Sequence, residues 1–340
     1  MDLELSDEQR WVGESVDALL SRADGAEGLW RRLVHFGALA VGEDGLGAIE
    51  LCLIARALGA HLAPVPYLGS AALRFAMPDG FARLGDDDAV AVAVLEPGSG
   101  WGLHGQRTTI ESLVVTGRKA GVEHAGAVEH LAVVASGPDG PALALVGRDA
   151  AGVSITAQPS FDPTTPLHTV ALDEVAVDAG SIGGSELVER LATIGALLAA
   201  AEAVGAAGRL LDDACAYAAE RRQFGRPIGS FQALRHLLAD MYVRQASSWS
   251  SVLYAAAALD EDADEAPRTA SIAKAYVARA SREVAHGAIQ VFGGIAITDE
   301  HPAHRYLRRI VVREQQFGDA AHHERALGQA LAGRVPEPVR

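Results

Sequence analysis

The side chains with most to offer chemically lie in two stretches of the second half of the chain. Glu220 to Gln232 reads ERRQFGRPIGSFQ and continues as ALRHLLADM, setting arginines beside glycines and amide side chains. Ala288 to Arg309 reads AIQVFGGIAITDEHPAHRYLRR, with Gly293 and Gly294 adjacent and arginines at its end. Arginine carries a permanent charge with paired N–H donors, and only glycine lets the main chain come close to a bound group. Each feature also has a plainer reading: Arg221 as a solvated helix-end charge, Gly293-Gly294 as a helix stop, Phe224 as core. Their joint occurrence favours a ligand. Metal chemistry is not expected. His322 and His323, followed by Glu324, are adjacent and would point roughly 100° apart on a helix, so they do not chelate one ion. Cys52 and Cys215 lack the paired spacing of a zinc site.

Three textures surround these stretches. From Ser6 to about Phe81 the period is helical, with Leu3, Leu5, Trp11, Val12, Val16, Leu19 and Leu20 spaced by threes and fours around a Ser6 cap. Loops are expected around Asp44, between Gly42 and Gly47, and at His61 to Pro66. From Ala89 to about Val177 the runs are short and rich in Val, Leu and Thr, with turns such as GPDG at Gly137, which predicts a small antiparallel barrel or sandwich. After Gly183-Gly184 long alanine-rich helical stretches return at about 186–222, 230–260 and 267–291, with a shorter one near 318–333. They must pack on one another as a bundle. The expected fold is α+β: an N-terminal helical domain (1–88), a central β domain (89–183) and a C-terminal four-helix bundle (184–340). The acidic run Asp260 to Glu265 reads as a solvated loop between helices.

Composition narrows the function. Acidic residues outnumber basic ones by 44 to 29, a net charge of −15, which repels phosphate backbones and anionic membrane surfaces. No nucleic-acid partner is expected. Every long apolar run is interrupted by charge short of about 18 residues, so no membrane span is expected. Two cysteines, read as buried thiols, and an N-terminus without signal-peptide character point to the cytoplasm.

The two stretches, taken in order, resemble the acyl-CoA dehydrogenase family, whose bundle carries an arginine, a Phe-Gly pair, a small turn and a helix beginning near a glutamine, then a Gln, double-glycine and Arg segment. The helical, β, bundle order agrees. The resemblance implies that Arg221, Gln223, Phe224 and Gln232 meet the diphosphate and adenosine part of an FAD belonging to a neighbouring subunit, and that Gln290, Gly293 and Gly294 line the same surface. It also implies an acyl-CoA thioester as substrate and electron-transfer flavoprotein as oxidant.

Elsewhere the chain departs from the family. LEPGSG, from Leu95 to Gly100, resembles the family's strand-end loop, but Leu95 stands at the usual threonine and Trp101-Gly102 replaces Ser-Asp. In TGRKAGVEHAG, from Thr116 to Gly126, the positions of the tryptophan and threonine beside the flavin ring fall at Gly121 and Glu123. Neither supplies a stacking surface or a suitable donor. The family's base is a carboxylate that removes the proton alpha to the thioester. By register its two locations fall at Gly195 and Gly318, neither of which can take a proton. Asp319 is one residue away, either a displaced base or a helix cap; Glu189 and Glu202 are read as structural. The half-site facing outward is kept and the inward one is eroded. The chain therefore resembles one subunit of a heteromer, similar to the α2β2 enzymes that some actinobacteria use on bulky steroid side-chain thioesters. A self-sufficient homo-oligomer with a displaced base and a non-catalytic scaffold are the alternatives.

Overall fold

The structure, a computed structural model, describes residues 3–22, 28–41, 45–77, 81 and 84–332. The loop expected around Asp44 falls largely outside them. Four helices come first: α1 (Asp7–Ser21), α2 (Leu29–Phe36), α3 (Ala48–Ala60) and α4 (Tyr67–Ala76). The Ser6 hydroxyl accepts from the Gln9 backbone while the Gln9 side chain accepts from the Ser6 N–H, so α1 starts with a reciprocal cap. Eight strands follow: β1 (Val90–Ala93), β2 (Thr109–Glu111), β3 (Val114–Glu123), β4 (His130–Gly137), β5 (Gly140–Gly147), β6 (Val153–Gln158), β7 (Leu167–Ala176) and β8 (Ile182–Gly183). The remainder is helical: α5 (Ser185–Glu220), α6 (Gln232–Asp260), α7 (Ala266–Phe292), α8 (Ala303–Gln315) and α9 (Ala320–Ala332).

The strands form one mixed sheet in the order β6-β7-β3-β2-β4-β5-β8, with β1 also on β4. The hairpin-linked pairs are antiparallel, as the short runs and turns implied. Strands β1 and β2 instead run parallel to β4. The chain leaves β1 by a long loop, and a connection of that length lets it return in the same direction. Both faces of β4 are buried. Leu131, Val133 and Ala135 point into the sheet's own core, while Ala132 and Val134 join the core shared by the N-terminal helices and α5 to α7.

Helix α5 organises the molecule. It is the one described helix long and apolar enough to cross a membrane, yet most of its apolar window is buried inside the protein. It crosses α3 at two glycines. A Cβ on Gly59 would lie 1.9 Å from the Glu202 carbonyl oxygen, and one on Gly205 would lie 1.8 Å from that of Arg56. Backbones approach this closely only where side chains are absent. Cys52 is buried in α3, but Cys215 is exposed, against expectation: Leu211, Ala214 and Ala218 take the inward face of α5 and turn position 215 outward. The acidic run is not merely solvated, since the Asp260 carboxylate accepts from the backbone N–H groups of Ala48 and Ile49 at the start of α3.

Candidate active site

The retained motif residues gather at one end of the bundle. Arg221 is the C-cap of α5 and Gly293 the C-cap of α7, and Tyr217 packs edge-on against Phe292, ring centroids 5.4 Å apart, just before those two ends. Between α5 and α6 the chain makes a tight hairpin, β9 (Arg222–Gln223) against β10 (Arg226–Pro227). Its two turn residues, Phe224 and Gly225, have φ of 51° and 77°. This is the left-handed conformation that tight two-residue hairpins require. The turn thrusts the Phe224 ring outward, 91% exposed, with the Phe231 ring 6.1 Å away. Arg226 stacks on the Phe231 face.

Arg221, Gln223, Gln232, Gln290, Gly293 and Gly294 are all exposed on this end. A Cβ added to Gly293 or Gly294 would meet nothing within 4 Å, so the main chain there is open to an incoming ligand. Arg221, Arg222, Arg226 and Arg235 make no ion pair among the described residues, although the chain as a whole is acidic. Four unneutralised guanidiniums, open glycine backbone and a projecting aromatic ring suit a diphosphate-bearing nucleotide approaching from outside.

The end of β3 is built differently. Gly121 and Glu123 end β3 and line an inner cavity of about 60 Å³, together with Leu95, Trp101, Gln316 and Phe317. Gly121 has φ of 62° and its N–H donates to the Gln158 side chain. The Glu123 carboxylate is gripped bidentately by Arg313 at 2.8 Å for each oxygen. Burial alone would raise this carboxyl, but Arg313 and His124 beside it hold it well below the usual carboxylate range. It remains ionised and fully engaged.

The two positions given for the base, 123 residues apart in sequence, border one pair of touching rings, Gly318 with its would-be Cβ 3.2 Å from Trp101 and Gly195 against Phe317. A Cβ on Gly195 would strike the Phe317 ring at 2.3 Å, and Gly318 follows that ring directly. Neither carries a carboxylate. Asp319 accepts from the His322 backbone N–H at 2.7 Å and caps α9, and it does not line the inner cavity. The cap is the role its geometry supports. Glu189 is exposed, while Glu202 is 1% exposed and structural.

What sequence reading missed is the buried ionic network behind the inner cavity. Arg309, wholly buried, pairs with Asp162 at 2.6 Å and with Glu202. Arg313 pairs with Glu202 at 2.9 Å and with Glu123. The signal was present. Arg309 and Arg313 are four residues apart, on the face that also carries Tyr306 and Ile310, and Glu202 is a lone acid in an alanine run. Helix α8 was not anticipated because its arginines disguise an inward face.

Residues 183–332 match the family described as acyl-CoA dehydrogenase, C-terminal domain. The chain is 33% identical over 332 residues to the acyl-CoA dehydrogenase FadE27 of Mycobacterium tuberculosis, covering 89% of this chain and 88% of that one. Its fold is similar to that of the ChsE4-ChsE5 complex from Mycobacterium tuberculosis, with TM-score 0.87 and 28% identity over 99% of this chain and all of that one. It is also similar to a Tcur3481-Tcur3483 steroid ACAD variant, with TM-score 0.85 and 26% identity over 96% and 98% of the two chains. With sequence and fold alike over nearly its whole length, this chain belongs to the acyl-CoA dehydrogenase family, the FAD-dependent oxidoreductases that dehydrogenate acyl-CoA thioesters.

Proposed function

We propose that this chain is one subunit of a heteromeric acyl-CoA dehydrogenase acting on a bulky acyl-CoA thioester, and that it completes an FAD site whose ring-stacking surface and base belong to a second subunit. One observation carries the reading: the outward end has every group a diphosphate needs, while both base positions are glycine and Glu123 is consumed by Arg313. In a homo-oligomer each site would inherit both the good half and the bad half. Pairing with a different, complete chain leaves one working site per pair. Asp319, tied to the start of α9, gives the self-sufficient alternative no support.

When bound, FAD supplies the hydride acceptor. The contribution of this chain is to hold it: Arg221 toward the diphosphate, Gln223, Phe224 and Gln232 along the diphosphate and adenosine, and Gln290 with the Gly293-Gly294 backbone lining the same surface. The partner's carboxylate takes the alpha proton, and electron-transfer flavoprotein is the oxidant that fits the family. Likeness to a ChsE4-ChsE5 complex and to a steroid ACAD supports both the second subunit and a steroid-like acyl group. The division at residues 1–88, 89–183 and 184–340 belongs to the same reading.

The test is a visible spectrum of the chain purified alone and co-produced with a candidate partner. Flavin absent alone, present in the complex and bleached by thioester is the expected result. A yellow, thioester-bleached chain without a partner overturns the proposal, and a complex without flavin or activity points to a scaffold. Arg221→Ala in the complex should lower flavin retention by about tenfold, corresponding to loss of one charge-assisted contact.

A further inference from the structure

Phe317 holds an unusual backbone conformation. It joins α8 to α9 with φ of 54°, and Gly318 after it has φ of 94°. Such a conformation is disfavoured for a residue bearing a side chain and persists only where the surroundings enforce it. Here they do. His323 bonds to the Phe317 carbonyl at 3.0 Å, and the preceding residue, Gln316, is tied by its side chain to Glu123 and Arg313. The ring so aimed is buried, lies against α5 where only a glycine leaves room, and meets Trp101 edge-on with centroids 5.6 Å apart.

Two cavities touch this pair of rings. One is the inner chamber of about 60 Å³ beside Gly121 and Glu123. The other, of about 500 Å³, opens between the start of α5, the start of α7 and α9. Trp101 and Phe317 are the residues common to both walls. The outer cavity is in the range of roughly 300–1,000 Å³ that ligand pockets occupy, and the inner one is far below it. A single aromatic partition therefore divides what would otherwise be one passage reaching the eroded half-site.

We propose that Phe317, braced by Trp101, is a built-in plug that occupies the acyl volume of this chain's own half-site and so confines the thioester to the site completed by the partner subunit. The inference rests on the half-site reading and adds its specificity-determining residue. Erosion of catalytic groups leaves a cavity that still binds substrate unproductively. Filling that cavity with a ring from the same chain removes the competition. The mouth of the outer cavity agrees, since Glu186, Glu189, Asp262 and Asp264 stand there against Arg190, itself paired with Asp262, and this excess of acid repels the phosphates of coenzyme A.

The experiment uses the full chain without flavin, with indole as the apolar probe. Phe317→Ala joins the two cavities, so it should bind about one equivalent of indole saturably. Its melting midpoint should rise with indole concentration, because binding to the native state alone shifts the folding equilibrium. The wild-type chain should show neither effect. Phe317→Leu, which keeps an apolar side chain in place, serves if the alanine variant does not fold, and should bind indole more weakly than the alanine variant but above wild type. Gly195→Ala, whose methyl would collide with the ring, should destabilise the wild type, be tolerated once Phe317 is alanine, and cost less than in the wild type once it is leucine, which keeps only part of the ring's volume. Indole binding to wild type equal to the variants, no binding to either variant, or the same cost of Gly195→Ala in both backgrounds overturns the plug. These readouts need no flavin. A colourless wild-type chain whose variants gain nothing refutes the plug alone, whereas a flavin-loaded, thioester-bleached wild-type chain refutes the half-site reading.

Discussion

Replacing Arg309 with methionine removes one guanidinium that ties three segments together. Arg309 pairs with Asp162 and Glu202, donates to the Thr164 hydroxyl at 2.6 Å, and reaches the Leu62 and Ala63 carbonyls between α3 and α4. In the wild type two buried arginines, Arg309 and Arg313, face three carboxylates, Asp162, Glu202 and Glu123. Arg309→Met leaves one against three. Asp162 keeps its bonds from the Thr164 backbone and hydroxyl, and Glu202 keeps Arg313 at 2.9 Å, so neither carboxylate is stripped completely. Removing one partner of a buried pair costs about 3–5 kcal/mol, and the retained bonds place this case toward the lower part of that range. Adding Glu202→Met restores the one-charge deficit, so the double variant should recover at least about 1 kcal/mol relative to the sum of the two single changes. Urea unfolding followed by far-ultraviolet circular dichroism and tryptophan fluorescence measures all three. A cost below about 1 kcal/mol for Arg309→Met, or strict additivity in the double variant, would refute the claim that this network is a coupled, desolvated unit. The network matters to the site because α8 carries it and then delivers Gln316 and Phe317.

Two further outcomes follow from single residues. Gly205→Ala would gain about 1 kcal/mol on an isolated helix, but its methyl would fall 1.8 Å from the Arg56 carbonyl oxygen, and backbone cannot yield as a side-chain tip does. A net loss of about 1–3 kcal/mol by thermal melting is expected, and a more stable variant would contradict the close crossing of α3 and α5. His323 is held by burial, and next by Lys274, at a pKa of about 4 against an ordinary 6.5. The unfolded chain therefore takes up its proton first, and this contribution is intact above pH 6.5, declines as pH falls from 6.5 to 4, and is fully lost below 4. Over that window the wild type should lose roughly 3 kcal/mol more than His323→Gln. Parallel stability curves for the two proteins would rule this out.

Much of the fold is written locally. The three- and four-residue spacing around Val12, Val16 and Leu20, the Ser6-Gln9 cap and the alanine-rich runs dictate helices wherever they sit, because the pattern and the cap act within a few residues. The Val-rich runs give strands in the same way. The parallel seating of β1 on β4 is different, since strand direction depends on the route of a long connection rather than on the strand's own residues.

The site divides along the same line. Sequence alone determined the presence of Arg221, the Phe224-Gly225 turn and the Gly293-Gly294 pair, and it put glycine, with no carboxylate, at positions 195 and 318. Composition likewise set a strongly acidic chain, with 44 acidic residues against 29 basic ones. Tertiary structure alone decided that Gly195 lies against the Phe317 ring and Gly318 beside Trp101, that Glu123 is spent on Arg313, and that Asp319 caps a helix. The reason is range. Periodicity, caps and tight turns are settled between near neighbours, whereas desolvated charge pairs and the filling of a cavity depend on which distant segments exclude water from one another.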